Sequence, residues 1–342
     1  MKFRGFLSLF LVLALIFPLC GCAQTVPEGK VAVYLMVERL EEYANSDRSL
    51  RDCYEFDDQG NMVMHSEYQN GKEISYIRKE YDDHGNFVTV ISYDDGEEKG
   101  RAARVYEYDE SGRVTLYISY DYEGNEEIRR TTQYDEFGNI SREATAFYGK
   151  AESLIYTYQY GADGKLLCKT HEEPRSNDYW KTEYTYSGDL LINESLYDIE
   201  GAQIEDIIYN YDSSGNLLEY RRYSDGELAV HKTYEYDQKG NKIHHEYKTS
   251  KGWHYIYDYK YNSDNQLIEQ TYYVNRKLNY TTQYTYNKDG ILIKEVKDWA
   301  ESENVVTITY QYVRMILDVE QAQRLRETYS EYYSTLMLQM VE

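Results

Sequence analysis

Histidines are the first side chains to consider for chemistry. His244 and His245 are adjacent, and neighbouring side chains of a strand point to opposite faces, so the two cannot chelate one ion. If Asp237–Gly240 turns a hairpin, His231 lies diagonally from His244 on one face. That is a two-ligand pair with no third ligand beside it, and ordinary surface histidines are the simpler reading. Acids recur in pairs at one position, as Asp57-Asp58, Asp82-Asp83, Asp109-Glu110 and Asp135-Glu136. Stacked carboxylates can hold Ca²⁺, which takes several oxygens, but turns two strand spacings apart sit ~10 Å from each other. No EF-hand loop is present, and solvated turns account for these acids. There is no Gly-x-Ser-x-Gly, phosphate loop, His-Glu-x-x-His or Cys-His signature. The reading is of no catalytic residues, no metal and no cofactor. What remains is aromatic. The chain has 42 Tyr and 3 Trp, and such rings stack on sugars or anchor protein partners. Trp180, Trp253 and Trp299 are the candidate ligand-binding aromatics, because they fall outside the positions that the tyrosines repeat.

Those positions belong to a unit spelled most cleanly as YNYDSSGNLL, Tyr209 to Leu218. Its second aromatic recurs as Phe56, Tyr81, Tyr108, Tyr134, Tyr160, Tyr186, Tyr211, Tyr236, Tyr261, Tyr286 and Tyr312, at intervals of 25 to 27 residues. So regular a period marks an internal-repeat architecture. Tyr209 and Tyr211 stand on one face of a strand, with Asn210 on the other. Asp212-Ser213-Ser214-Gly215 fits a type I turn, with Asp accepting backbone N–H bonds and Gly free to take positive φ. A second, looser turn closes each unit: Asn70-Gly71, Asp95-Gly96, Glu123-Gly124-Asn125, Asp225-Gly226 and Lys251-Gly252. Short turns at both ends make neighbouring strands antiparallel. The expected fold is all-β: an elongated, curled antiparallel sheet of roughly 20 strands built from tandem ~25-residue hairpins, with a C-terminal α-helix.

The ends differ from the array. Lys2 and Arg4 precede the apolar run Phe6–Phe17, too short to span a bilayer comfortably. The run ends in Leu19-Cys20-Gly21-Cys22, which resembles the lipobox of bacterial lipoproteins. The resemblance implies Leu19 as the recognition position, Gly21 as the residue before the cut, and Cys22 as the lipidated residue. Residues 1–21 would then be a signal peptide and 22–30 a tether. The membrane would be a partner through the lipid on Cys22, and the body would lie outside the cytoplasm at the cell surface. The net charge of −23 becomes two units more negative when Lys2 and Arg4 leave, which opposes contact with nucleic acid or anionic headgroups. Cys53 and Cys168 stand about 4.5 repeats apart, ~43 Å in a linear stack, so no disulfide is expected unless the sheet curls enough to join them.

Val31, Val33, Leu35 and Val37 alternate as a lead-in strand, and the array runs from 31 to 313 without a linker. In the segment 314–342, Val319, Ala322, Leu325, Tyr329, Tyr332, Leu336 and Met340 fall at gaps of three and four, the pattern of an amphipathic helix. It is expected to cap the sheet; docking a partner is the other use for such a face.

The core Tyr-x-Tyr-Asp-x-x-Gly-Asn-Leu resembles the YD repeat of the Rhs and teneurin families, at Tyr209, Tyr211, Asp212, Gly215, Asn216 and Leu217 and nearly as well at Tyr106–Val114 and Tyr234–Ile243. The resemblance covers most of residues 50–313 and implies a β-hairpin spiral able to form a hollow shell. The unit here is longer than the usual YD repeat, and no protease-like core or toxin segment follows the array. The function expected is a lipid-anchored scaffold that binds protein or glycan at the envelope. Behind it stand an assembly or immunity-like accessory of a secreted system and, last, a hydrolase of envelope polysaccharide. A concave aromatic stripe would favour the first and an exposed apolar helix the second.

Overall fold

A computed structural model describes residues 26–150, 154–302, 304–332 and 338–340. Leu19, Gly21 and Cys22 lie outside the described residues. Twenty-two strands follow one another, from β1 (Lys30–Tyr43) to β22 (Val305–Asp318), each antiparallel to the next. The predicted turns are there, and both kinds are built for a strand reversal. At Asp212 the Gly215 amide donates to the Asp212 carbonyl at 3.1 Å, and Gly215 has φ +86°. The next pair is displaced by one residue, so Tyr211 stands opposite Leu217; this is a type I turn closed by a bulge that only glycine enters without strain. At the other end Asn70-Gly71 and Asp225-Gly226 have positive φ at both positions, the I′ geometry that matches strand twist.

The sheet does not stay open. β1 pairs with β22 along nearly its whole length, from Lys30 opposite Asp318 to Tyr43 opposite Val306. The expected curled sheet with two free edges is therefore corrected to a closed barrel. The physical reason is edge removal: the first and last strands each carry an unpaired apolar edge, and twist accumulated over so many strands brings them together. Twenty-two strands spaced ~4.8 Å apart give a perimeter of about 105 Å, too wide for side chains to fill. Among the described residues no strand approaches the one across from it, so the barrel is hollow.

The inner wall is the tyrosine face. Where a repeat carries the paired aromatics, the residue between them is exposed (Glu55, Glu107, Asn210, Glu235, Lys260), while the aromatics flanking these residues are half-buried. Closing a sheet crowds its concave side, and the crowded side carries the rings. Water on the inside explains why rings in regular strands stay only half-covered.

Among the described residues, the compact core lies at the seam. β22 leads into α1 (Val319–Tyr332), which lies across the Asp-x-x-Gly rim of the barrel. Ala322, Leu325 and Tyr329 pack with Val33, Leu35, Met62 and Leu317. The Tyr329 hydroxyl donates to the Gly60 carbonyl at 2.5 Å, and Arg324 Nη1 donates to the His84 carbonyl at 2.7 Å. The predicted helical spacing runs past the end of α1: Leu338–Met340 is β23, paired with Val33–Leu35 of β1, because β2 (Ser49–Phe56) covers only the Glu38–Glu42 part of that edge. Met340 is thus strand, not helix.

Leu325 is 3% exposed, and Leu325→Ala is expected to cost about 2–5 kcal/mol by denaturant titration. Because repeats couple only to neighbours, hydrogen exchange should accelerate in β1 and β22 and stay unchanged near Tyr209.

Candidate functional site

Two hydroxyl ladders fix the inner wall. The second tyrosine of a repeat donates to a backbone carbonyl of the preceding hairpin: Tyr81 to Met62 at 2.6 Å, Tyr211 to Leu191 at 2.8 Å, and Tyr236 to Leu217, Tyr261 to Lys242 and Tyr286 to Leu267 at 2.9 Å. The first tyrosine reaches a side chain of that hairpin: Tyr158 to Glu143 at 2.8 Å, Tyr209 to Glu194 at 2.5 Å and Tyr310 to Glu295 at 2.9 Å. Burial, reinforced by these carboxylates, holds the phenols of Tyr158, Tyr209 and Tyr310 well above the ordinary range. These tyrosines are structural.

The acidic turns are structural too. Asp212 Oδ1 accepts the amides of Ser214 and Asn216 at 2.8 and 2.9 Å, and Oδ2 accepts the Asn216 side-chain amide at 2.8 Å. Asp57 and Asp237 repeat the pattern. The Asn216 side chain, then backbone amides, hold the Asp212 carboxyl below the usual range. Both oxygens of these leading acids are thus engaged within their own turns.

The histidines separate as their neighbours do. His244 faces outward and its Nδ1 lies 2.6 Å from Asp258, while His231 lies 2.8 Å from Glu219. The expected diagonal between them is corrected: His244 pairs with Glu235, and His231 pairs with Lys248, four positions further along the strand. His245 faces inward, stacked between Tyr234 and Tyr257 at 4.6 and 5.4 Å. A cluster that sequence reasoning missed lies beside the seam, where ligand atoms of Asp52, His65 and Glu67 fall within 4.8 Å of one another. Arg39 Nη1 already holds Asp52 at 3.3 Å, so an ion there would have to displace a guanidinium. The register of the β2–β3 hairpin brings them together, with Asp52 directly opposite Glu67 and His65 opposite Tyr54, and that register depends on the bulge after Glu55, which spacing along the chain does not show.

All three tryptophans face the lumen. Trp180 lies 4.5 Å from His171, over a recess of about 380 Å³ shared with Tyr156, Lys169, Tyr184 and Glu194. Trp253 stands at the rim opposite α1, 49% exposed, above a cleft of about 450 Å³ with Tyr247, Tyr255 and Tyr272. Trp299 meets Tyr280 at 5.0 Å, and Tyr280 meets Tyr272 at 4.9 Å. Trp253 and Trp299 therefore end one continuous aromatic stripe, while Trp180 belongs to a separate recess. Tyr247, Tyr255, Tyr257, Tyr272 and Tyr280 fall outside the repeated Tyr-x-Tyr positions, an excess visible in the sequence but hidden there among 42 tyrosines.

Cys53 and Cys168 are both free. Among the described residues no helix is long and apolar enough to cross a membrane.

A family described as an uncharacterised protein matches residues 179–279. No curated protein matches the chain. Among solved structures, the TcdB2-TccC3-Cdc42 crystal structure is similar at 13% identity and a TM-score of 0.42, over 80% of this chain and 20% of that one. A Photorhabdus luminescens Tc holotoxin pore carrying a TccC3 mutation is similar at 14% identity and a TM-score of 0.41, with the same coverage. A porin-like protein from Bacteroides uniformis is similar at 9% identity and a TM-score of 0.29, over 81% of this chain and 96% of that one. The chain spans about a fifth of the length of the two toxin chains it matches.

Burial, then the charges of Lys242 and Lys232, push the His245 imidazole down from 6.5 to about 4. An unfolded chain takes up this proton near 6.5 and the folded wall only near 4, so stability should fall as pH drops through that window. His245→Gln should remove that part of the slope in denaturation measured across the window, and an NMR titration should find the native ring neutral at pH 5.

Proposed function

We propose that this chain is a lipid-anchored, extracytoplasmic binding protein of YD-repeat type that takes a glycan of the cell envelope against its inner wall. The aromatic stripe carries this reading. Seven rings from Tyr247 to Trp299 line a concave, water-facing wall. The tyrosines among them stand where the repeat's own bonding does not require a tyrosine. Aromatic faces bind the apolar faces of sugar rings, and phenol tips bind their hydroxyls. A peptide ligand would favour a free strand edge to extend, and closure through β1 and β22 leaves such an edge, among the described residues, chiefly at the Tyr310–Asp318 end of β22 and at β23, away from the stripe. The apolar face of α1 is occupied by the seam, which lowers the assembly-accessory alternative. A binding role is favoured over hydrolysis because the inward glutamates Glu143, Glu194 and Glu295 are engaged by tyrosine hydroxyls.

Anchoring rests on the lipobox resemblance at Leu19–Cys22. Cys22→Ala should abolish fatty-acid labelling and move the protein from membrane to soluble fractions; unchanged labelling would remove the anchor from the account. Trp253→Ala should weaken retention on envelope polysaccharide about tenfold, roughly the loss of one good stacking contact. Retention unaffected by Trp253→Ala and Trp180→Ala would place the ligand elsewhere.

A further inference from the structure

The two walls of the barrel differ in charge where the extra rings gather. On the outer wall of β15 (Leu217–Ser224) to β20 (Lys277–Tyr286), acids and bases alternate and pair: Arg221 and His231 with Glu219 at 2.6 and 2.8 Å, His244 with Asp258 and Lys260 with Glu269 at 2.6 Å. On the inner wall, the described central positions from Tyr220 to Thr282 carry Arg222, Lys232, Lys242 and His245 and no carboxylate. Glu227 stands only at the rim, as the first residue of its strand opposite Ser224. In a chain with 60 acids and 37 bases, that is a reversal of the overall sign.

The inward cations are held differently from the outward ones. Arg222 has Glu205 of the neighbouring strand at 3.6 Å. Lys232 rests on Tyr220 at 4.5 Å and Tyr247 at 5.5 Å, and Lys242 on Tyr259 at 5.2 Å and Tyr234 at 5.9 Å. Neither lysine has a carboxylate partner among these contacts. Between them, His245 Nε2 is buried with no hydrogen-bond partner. Ring faces position the ammonium groups without neutralising them.

We infer that this inner tract, Lys232 and Lys242 beside the stripe from Tyr247 to Trp299, binds an anionic polysaccharide whose sugar rings lie on the aromatics and whose acidic substituents meet the two lysines. The inference rests on the glycan reading above and narrows it. The charge of the outer wall is no bar: a sheet with its side chains is about as thick as the ~8 Å over which salt screens charges at physiological strength. A polyanion repelled outside therefore meets unpaired cations within. The tract opens at the rim bearing Trp253, and α1 covers the other rim beside the seam, which leaves an entry for a chain end.

The test is binding of oligogalacturonate, of its methyl-esterified neutral form and of a ribitol phosphate polymer to the full chain in detergent micelles, followed by tryptophan fluorescence. At least one acidic polymer should bind about tenfold or more tighter than the neutral one, the equivalent of one good charged contact. Which of the two does so separates a carboxylate from a phosphodiester source. Lys232→Gln with Lys242→Gln should abolish that preference, while Lys248→Gln with Lys260→Gln on the outer wall should preserve it; circular dichroism checks that both fold. Equal binding of acidic and neutral forms would overturn the inference and leave glycan binding intact. No binding of any glycan would overturn both readings. Equal binding of poly-glutamate would show a general polyanion surface and also overturn the inference.

Discussion

The pairing of β1 with β22 is the constraint on which the rest depends. It joins segments more than 260 residues apart, Tyr43 with Val306 at one end and Lys30 with Asp318 at the other. Without it the hairpins form a ribbon with two reactive edges and two wet faces. With it they form a wall with an inside and an outside, and every later distinction follows from that one. The seam is also where the hydrophobic effect is concentrated. Val33, Leu35, Met62, Leu317 and the apolar face of α1 make the compact core of the described chain, while the remaining strands rely on backbone pairing, ring contacts and the tyrosine ladders.

Such a wall is stabilised by repetition. Among the described residues, six repeats bond to the preceding hairpin through a tyrosine hydroxyl on a carbonyl, Tyr108 reaches the Asp82 carboxylate instead, and several repeats add a second bond to a glutamate. A typical hydrogen bond adds about 1 kcal/mol net, so no single link decides the fold, and the sum over the array does. The arrangement also frees positions. Once the paired tyrosines, the turn aspartates and the left-handed glycines are set, the other inward residues can vary without loss of the shell. Tyr247, Trp253, Tyr255, Tyr272 and Lys232 occupy such positions, which is why they and not the repeat residues define the candidate site.

Much of this was legible in the sequence. The period placed the strands, the repeated aromatic-Asp-x-x-Gly turn placed one rim, and the looser glycine turns such as Asn70-Gly71, Glu123-Gly124-Asn125 and Asp225-Gly226 placed the other. Closure was not legible, because it depends on twist and stagger summed over the whole array, while each turn specifies only its own hairpin. The hints were present at the ends: Val31, Val33 and Leu35 alternate as a strand needing a partner, and the run Val305–Leu317 is longer than any repeat requires. Register explains the other differences. His231 and His244 look like neighbours on paper, but the bulge after Glu235 fixes a pairing that keeps them apart. The tract of Lys232 and Lys242 shows only when inward and outward positions are separated, since acids of the outer wall sit at adjacent positions in the same strands.

The most direct test of this account is a crosslink across the seam. Glu42 and Thr307 are paired on β1 and β22 and face outward. With Cys53 and Cys168 replaced by serine, Glu42→Cys with Thr307→Cys should form an intramolecular disulfide under mild oxidation, seen as faster monomer migration on a non-reducing gel that reductant reverses. An open sheet would hold the same two residues about 100 Å apart along its width. Reduced monomer, or disulfides only between molecules, would contradict the barrel and remove the inner wall on which the binding site depends.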